Sequence, residues 1–161
     1  MQRTLILAKP DAVQRGLVGR ILTRLEEKGL KIVGLKLMNM SPELAEIHYA
    51  AHRERPFYAG LVRFMTSSPI VAMAVEGIAA VEICRKMMGA TFGSQAEPGT
   101  IRGDFGVSNS FNLVHGSDSD DTARRELALF FEASELCEYE LGSFAWIYDP
   151  VEELGDAPRM A

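Results

Sequence analysis

The sequence predicts an α+β sandwich in which a four-stranded sheet carries helices on one face, in the order βαββαβ with insertions. Length is the first reason, because 161 residues suit one domain and a chain of that size hides about 70% of the surface its unfolded form exposes. Pattern is the second: short runs of Val, Ile, Leu and Met alternate with stretches whose apolar residues recur at helical spacing. No internal repeat, low-complexity tract or interdomain linker breaks that alternation, so all the elements read as parts of one core.

Taken in order, Arg3 to Lys9 reads as a buried strand punctuated by Pro10-Asp11. Val18, Ile21, Leu22 and Leu25 then mark a helix, and Lys28-Gly29 supplies its basic last turn and glycine stop. Leu30 to Met40 is a second strand, in which the apolar set Leu30 and Ile32 changes phase to Leu35 and Leu37 around Val33-Gly34, as a bulge would cause. Ser41-Pro42-Glu43-Leu44 is a cap followed by a proline at the first helical position, which predicts helix over Pro42 to His52. A further helix starts near Phe57 and ends by Ser67-Ser68-Pro69. Ile70 to Glu76 is the third strand and Ile78 to Met88 a helix stopped by Gly89. From Ala90 to Ser110 there is little periodicity, and Gly93, Gly99, Gly103, Gly106 and Pro98 predict a long loop of the kind that is usually functional or an interface element. Phe111 to His115 completes the sheet, and Asp120 to Phe131 is the last sizeable helix.

Composition excludes several classes of function. A hydrophobic content of 47% without any apolar run near the ~20 residues that span a bilayer leaves no membrane segment. The apolar start Leu5-Ile6-Leu7-Ala8 is broken by Lys9 and Pro10 too early for a signal-peptide core, so a cytoplasmic protein is expected. Cys84 and Cys137 have neither CxxC spacing nor the density of a disulfide scaffold, and read as two reduced thiols. The net charge of -5 argues against dedicated nucleic-acid binding. It is uneven, with -3 in the last thirteen residues and -2 in the rest, so positive pockets for an anionic ligand remain open. The segment after residue 150, rich in charge and carrying Gly155 and Pro158, reads as a mobile tail to a domain over residues 1–150.

Histidine is scarce, and His115 stands where an apolar run meets a polar, helix-starting turn, Asn112-Leu113-Val114-His115-Gly116-Ser117-Asp118-Ser119. An imidazole there can act as nucleophile, general base or metal ligand. Ser117, Asp118, Asp120 and Asp121 surround the helix start and read as capping residues. Within that helix Glu126 falls on the apolar stripe of Ala123, Leu127 and Phe130, which requires a partner, either an arginine or His115. Arg85 is bracketed by Val81, Cys84 and Met88; its guanidinium either snorkels to water or reaches a fixed anion. Lys9 ends a buried strand, and Arg102 lies between glycines of the long loop. No Walker or dinucleotide-binding glycine motif is present, so a bound phosphate would have to be held by side chains such as Lys9, Arg85 and Arg102. His48 and His52 have metal-compatible spacing but no HExxH glutamate, and read as a solvent-facing pair. No zinc spacing and no nucleophile elbow is found.

Several separated motifs, in order, resemble the nucleoside diphosphate kinase family over about Arg3 to Asp149. They are Lys9-Pro10-Asp11 with Val13-Gln14-Arg15-Gly16, Arg55-Pro56-Phe57, Gly60-Leu61-Val62, Pro98-Gly99-Thr100-Ile101-Arg102-Gly103-Asp104-Phe105, and the His115 segment. The resemblance implies a ferredoxin-like sandwich with a four-stranded antiparallel sheet. It also implies ping-pong transfer of a γ-phosphate from a nucleoside triphosphate (ATP or GTP) to a nucleoside diphosphate (GDP or a deoxynucleoside diphosphate) through a phosphohistidine at His115. Lys9 would bear on the transferred group and the sugar hydroxyl, Arg85, Thr91 and Arg102 on the remaining phosphates, and Asn112 on the ribose. Tyr49 resembles the tyrosine beside the family's histidine, while Ser117 and Glu126 would support it. Phe57 matches the aromatic that stacks on the base, with Leu61 and Val107 near it, and stacking tolerates any base. Mg²⁺ is implied on the nucleotide phosphates without a protein cage.

A homo-oligomer is implied as well, with Arg102-Gly103-Asp104-Phe105 and Phe144-Ala145-Trp146-Ile147-Tyr148 leaning toward a hexamer over a tetramer. Relatives that bind nucleotides without turnover lose the histidine or a cation, and none of the matched positions is lost here. Two departures stand out, Thr91-Phe92-Gly93 for Thr-Asn-Pro and Asn109-Ser110-Phe111 for Val-Gly-Arg; both bear on subunit contacts and loop rigidity. Finally, strict alternation would put Asn112 and His115 on opposite faces of a strand, so for both to reach one nucleotide Asn112 must precede the regular strand.

Overall fold

The middle of the sheet is β1 (Gln2–Ala8), which pairs antiparallel with β3 (Ile70–Gly77) on one side and with the short β4 (Val114–Gly116) on the other. In this computed structural model, which describes residues 1–149 and 153, β2 (Lys31–Met38) adds the far edge and gives the order β2-β3-β1-β4. The register between β2 and β3 slips between Ile32 and Gly34, the bulge that the phase change predicts. The tail over residues 151–161 lies outside the described residues, apart from Glu153.

Among the described residues seven α-helices surround the sheet: α1 (Pro10–Gln14), α2 (Val18–Glu27), α3 (Pro42–His48), α4 (Tyr58–Met65), α5 (Ala80–Met88), α6 (Ile101–Phe105) and α7 (Asp120–Phe130). They cover both faces, not one. Ile6, Ala8, Met73 and Val75 pack against Ile21 and Leu25 of α2 and Cys84 and Met88 of α5. Leu5, Leu7, Ala72 and Ala74 pack on the other side against Ala45, Met65, Leu127 and Phe130 of α3, α4 and α7. The physical reason stands in β3, all eight of whose residues are buried and whose first six, Ile70 to Val75, are apolar: such a run needs cover on two faces, whereas a one-sided sheet alternates.

Other expectations shift at the loops. Pro10-Asp11 opens a five-residue helix instead of a simple turn, with Pro10 at its first position. The helix expected over Pro42 to His52 ends at His48 and continues as a 3-10 turn at Ala50–His52. Ser41 caps it by accepting from the Leu44 N–H. The long loop contains α6, capped by Thr100, whose Oγ1 accepts from the Gly103 N–H. Strand β4 begins at Val114, not Phe111, because Leu113 sits at φ +69 and cannot continue a ladder. Asn112 therefore does lie ahead of the regular strand. At α7 the N-cap is Ser119, accepting from the Thr122 N–H; Asp120 and Asp121 lie in the first turn and Asp118 bonds Thr122, as expected of residues at a helix start, while Ser117 turns to Glu126 instead.

Candidate functional site

Pairing of His115 with Leu7 puts the imidazole on the face of the sheet covered by α3 and α7. There the buried Glu126 meets it: both carboxylate oxygens lie at 3.1 and 3.2 Å from His115 Nε2. Ser117, fully inside, donates its hydroxyl to the Glu126 Oε2 atom at 2.6 Å. The partner that the apolar stripe required is therefore the histidine, not an arginine. Burial pushes the Glu126 carboxyl up, but the hydrogen bonds from His115 and Ser117 and the nearby imidazoles outweigh it and hold it below the usual range. An ionised carboxylate only accepts, so Nε2 carries the ring proton and Nδ1 keeps the lone pair.

His48 is the residue that sequence reasoning misplaced. Its side chain is wholly buried, its ring centroid is 4.6 Å from that of His115, and its Nδ1 is 3.6 Å from Glu126 Oε1. Burial, reinforced by the neighbouring His115, pushes its pKa down to about 3, so it is a neutral ring at physiological pH. His52 is exposed, because the 3-10 turn after α3 breaks the helical register that would have kept the two histidines on one face. A signal existed: Ala45, His48 and Tyr49 fall at i, i+3 and i+4, the spacing of one buried stripe. Tyr49 itself is buried 6.2 Å from the His115 ring, and burial raises its phenol well above its ordinary value.

A second cluster joins the first through the backbone of β4. Lys9 is buried at the end of β1 and donates from Nζ to Asn112 Oδ1 at 2.7 Å; Asn112 Nδ2 in turn donates to the Thr91 carbonyl at 2.8 Å. Burial, then repulsion from Arg102, brings the Lys9 ammonium down to about 8. Arg102, also buried, donates to the carbonyls of Asn112 at 3.1 Å, Gly89 at 2.8 Å and Val114 at 2.8 Å. Burial lowers its pKa to about 10, and Arg85 adds to that repulsion. Arg102 thus binds the loops together first and has little N–H capacity left over. Arg85 is the opposite case: exposed on α5, it donates no hydrogen bond among the described residues and bears by charge on Asp118 and Arg102.

Phe57, Leu61 and Val107 lie outside these networks. Phe57, at the start of α4, is 55% exposed and tilts against His52 at 5.7 Å; Leu61 is half-buried on the same helix. Val107, just past α6, is 91% exposed. Thr91 is exposed at the loop that receives the Asn112 amide. Of the two departures from the family's wording, Gly93 is explained by contact, since a Cβ there would meet the Gly106 carbonyl oxygen at 2.4 Å. Phe111 leans on Phe64 with ring centroids 4.9 Å apart.

The arrangement is an imidazole whose Nε2 is held by the Glu126 carboxylate, on the segment that Arg102 ties to the buried Lys9–Asn112 pair. Comparison with known proteins agrees with that chemistry. A family model described as nucleoside diphosphate kinase matches residues 2–136. The nucleoside diphosphate kinase of Synechococcus sp. (strain JA-3-3Ab) is 56% identical over 149 residues, covering 92% of this chain and all of that protein. That of Carboxydothermus hydrogenoformans is 54% identical with the same coverage. Among solved structures, the halophilic nucleoside diphosphate kinase of Halobacterium salinarum in complex with CDP superposes with a TM-score of 0.90 at 52% identity, covering 91% of this chain and 98% of that one.

Proposed function

This chain belongs to the nucleoside diphosphate kinase family, and we propose that it performs the family's reaction with His115 as the carrier of the phosphate. The enzyme transfers phosphate from a nucleoside triphosphate to a nucleoside diphosphate. In the proposed first half-reaction the His115 Nδ1 lone pair forms a bond to the γ-phosphorus as the bond to the bridging oxygen breaks, and the nucleoside diphosphate leaves with that oxygen. In the second, a terminal phosphate oxygen of another diphosphate attacks the phosphohistidine and the Nδ1 lone pair is restored. The observation that carries this reading is the Glu126 carboxylate on Nε2, which fixes the tautomer, aims the ring and offsets the positive charge that develops on the imidazole when Nδ1 bonds phosphorus.

Phosphoryl transfer needs positioning and charge stabilisation more than covalent help. Lys9 supplies charge to the transferred group, with Asn112 holding it in place and presenting its amide to the ribose. Arg85, which donates no hydrogen bond among the described residues and whose charge bears on Asp118 and Arg102, would take the outer phosphates, joined by Thr91 and by what N–H capacity Arg102 retains. Magnesium would be carried on the phosphates: Glu126 is committed to His115 and Ser117, Asp11 Oδ2 to the Leu113 N–H, and Asp11 Oδ1, though without a partner, is buried. When bound there, it neutralises charge on the phosphate oxygens.

Incubation with Mg-ATP, removal of nucleotide and intact-mass measurement tests the reading. A single added phosphate that GDP discharges is expected. An unmodified protein overturns it.

Phe57 and Leu61, with Val107, form the base platform in this reading. Replacing Phe57 with alanine is expected to raise KM about tenfold for purine and pyrimidine nucleotides alike while kcat holds, because base stacking contributes about 1–3 kcal/mol and is made before and during transfer. Steady-state kinetics with several diphosphates checks it. Base tolerance of this kind accords with the Halobacterium salinarum relative, which is solved with CDP. We place the enzyme in the cytoplasm, where nucleotide pools are held and its two unpaired thiols stay reduced; no helix among the described residues is long and apolar enough to cross a membrane. A homohexamer is the assembly we favour, since Trp146 is left 91% exposed in one chain and offers apolar surface for a second copy to cover.

A further inference from the structure

Leu113 has a backbone that its residue type disfavours. It is fully buried, it is not glycine, and its φ is +69. Across it the Val114 N–H donates to the Asn112 carbonyl at 2.7 Å, an i to i+2 bond. With positive φ at its centre this is the rare, strained form of γ-turn, and strain of that kind persists only where its surroundings over-determine it. The turn has a visible consequence. It breaks strand alternation between Asn112 and His115, so that Asn112 stays bonded to Lys9 while His115 faces Glu126.

Four bonds hold the turn. The Lys9 N–H donates to the Leu113 carbonyl at 2.8 Å, and Arg102 braces the flanking carbonyls of Asn112 and Val114. The Leu113 N–H itself is taken by Asp11 Oδ2 at 3.0 Å. Asp11 is the second residue of α1 and Lys9 its N-cap, just after β1 ends at Ala8, so one short turn clamps both sides of the Leu113 peptide unit. We infer that Asp11 is a positioning residue for phosphotransfer, whose carboxylate locks the γ-turn at Leu113 and so sets His115 against Asn112 and Lys9. The inference rests on the reading of His115 as the phosphate carrier.

The carboxylate has a second effect that can be read separately. The groups bearing on Lys9 are Arg102 of α6, which disfavours its charge, Asp11 of α1, which favours it, and the neutral His48 of α3. Asparagine at position 11 keeps an oxygen for the Leu113 N–H but loses the charge. Alanine loses both.

The test compares wild type, Asp11→Asn and Asp11→Ala by kcat, KM, the pH profile of kcat/KM and the rate of phosphoenzyme formation. Asp11→Ala is expected to lose about 100-fold in kcat, the scale of a reacting group displaced by about 1 Å. Asp11→Asn should recover all but about fivefold of that loss. In both variants the alkaline limb should move to lower pH, because removing the negative charge favours neutral Lys9. Asp11→Ala within threefold of wild type, or Asp11→Asn no better than Asp11→Ala, overturns the inference. Should Asp11→Ala fail to fold, Asp11→Asn decides alone: near-wild-type kcat with a shifted limb supports the inference, and a loss above about thirtyfold or an unmoved limb overturns it. A wild-type protein that never takes up phosphate would instead strike the proposed function.

Discussion

Replacing His115 with alanine is expected to lower nucleotide exchange by on the order of 10⁴-fold or more, with the fold and nucleotide binding retained. The size follows from the role: removing a covalent nucleophile takes away the intermediate through which both half-reactions run, and no second group is placed to replace it. Lys9 is a donor to Asn112, Ser117 gives its proton to Glu126, and His48 is turned inward with its Nδ1 toward Glu126. Retention of binding follows from separation, because Phe57 at the start of α4 and Arg85 on α5 make no direct contact with the imidazole among the described residues. Equilibrium nucleotide binding beside steady-state exchange measures the two effects in one preparation. Activity within about tenfold of wild type, or phosphate still taken up by the variant, would place the chemistry elsewhere.

What could be read in advance divides along local and tertiary lines. Strands β1, β2 and β3 were legible because apolar runs and a phase change are local signals, and the bulge between Ile32 and Gly34 followed from them. Glu126 was legible as a polar residue on an apolar stripe, and the need for a partner follows from the cost of a buried carboxylate. Two-sided cover was also written in the chain, in the unbroken apolar run of β3, but weighs little against a helix count until the sheet is seen. Helix α6 was hidden because five residues containing Gly103 are too short for periodicity to show. Leu113 was the least accessible of all. Nothing about a leucine announces positive φ, and the conformation is imposed from a distance by Asp11, Lys9 and Arg102. For Arg102 the residue could be named but not its partners, since the backbone carbonyls of Gly89, Asn112 and Val114 leave no mark in a sequence.

Exchanging Glu126 for glutamine should lower kcat on the order of 100-fold and change the acid response of stability in a defined direction. The kinetic loss arises because an amide at this position can present an N–H to Nε2, favouring the tautomer that protonates Nδ1 and blocks it as a nucleophile; it also removes the negative charge that offsets the developing phosphoimidazolium. The stability effect comes from linkage. Burial raises the Glu126 carboxyl, but the bonds from His115 and Ser117 and the neighbouring imidazoles overcome that and leave its folded pKa below the ordinary value of about 4.3. A depressed carboxyl pKa contributes stability that is present above the unfolded value and is lost as pH falls through the folded one. Wild type should therefore lead the variant in melting temperature at pH 7, and the lead should shrink as the pH drops below the ordinary carboxylate range, where protonated glutamate resembles glutamine. Melting curves of both proteins between pH 7 and 3 check this. Parallel curves over that range would mean that the Glu126 charge does not contribute to folding, and kcat would then have to carry the case for its role at His115 by itself.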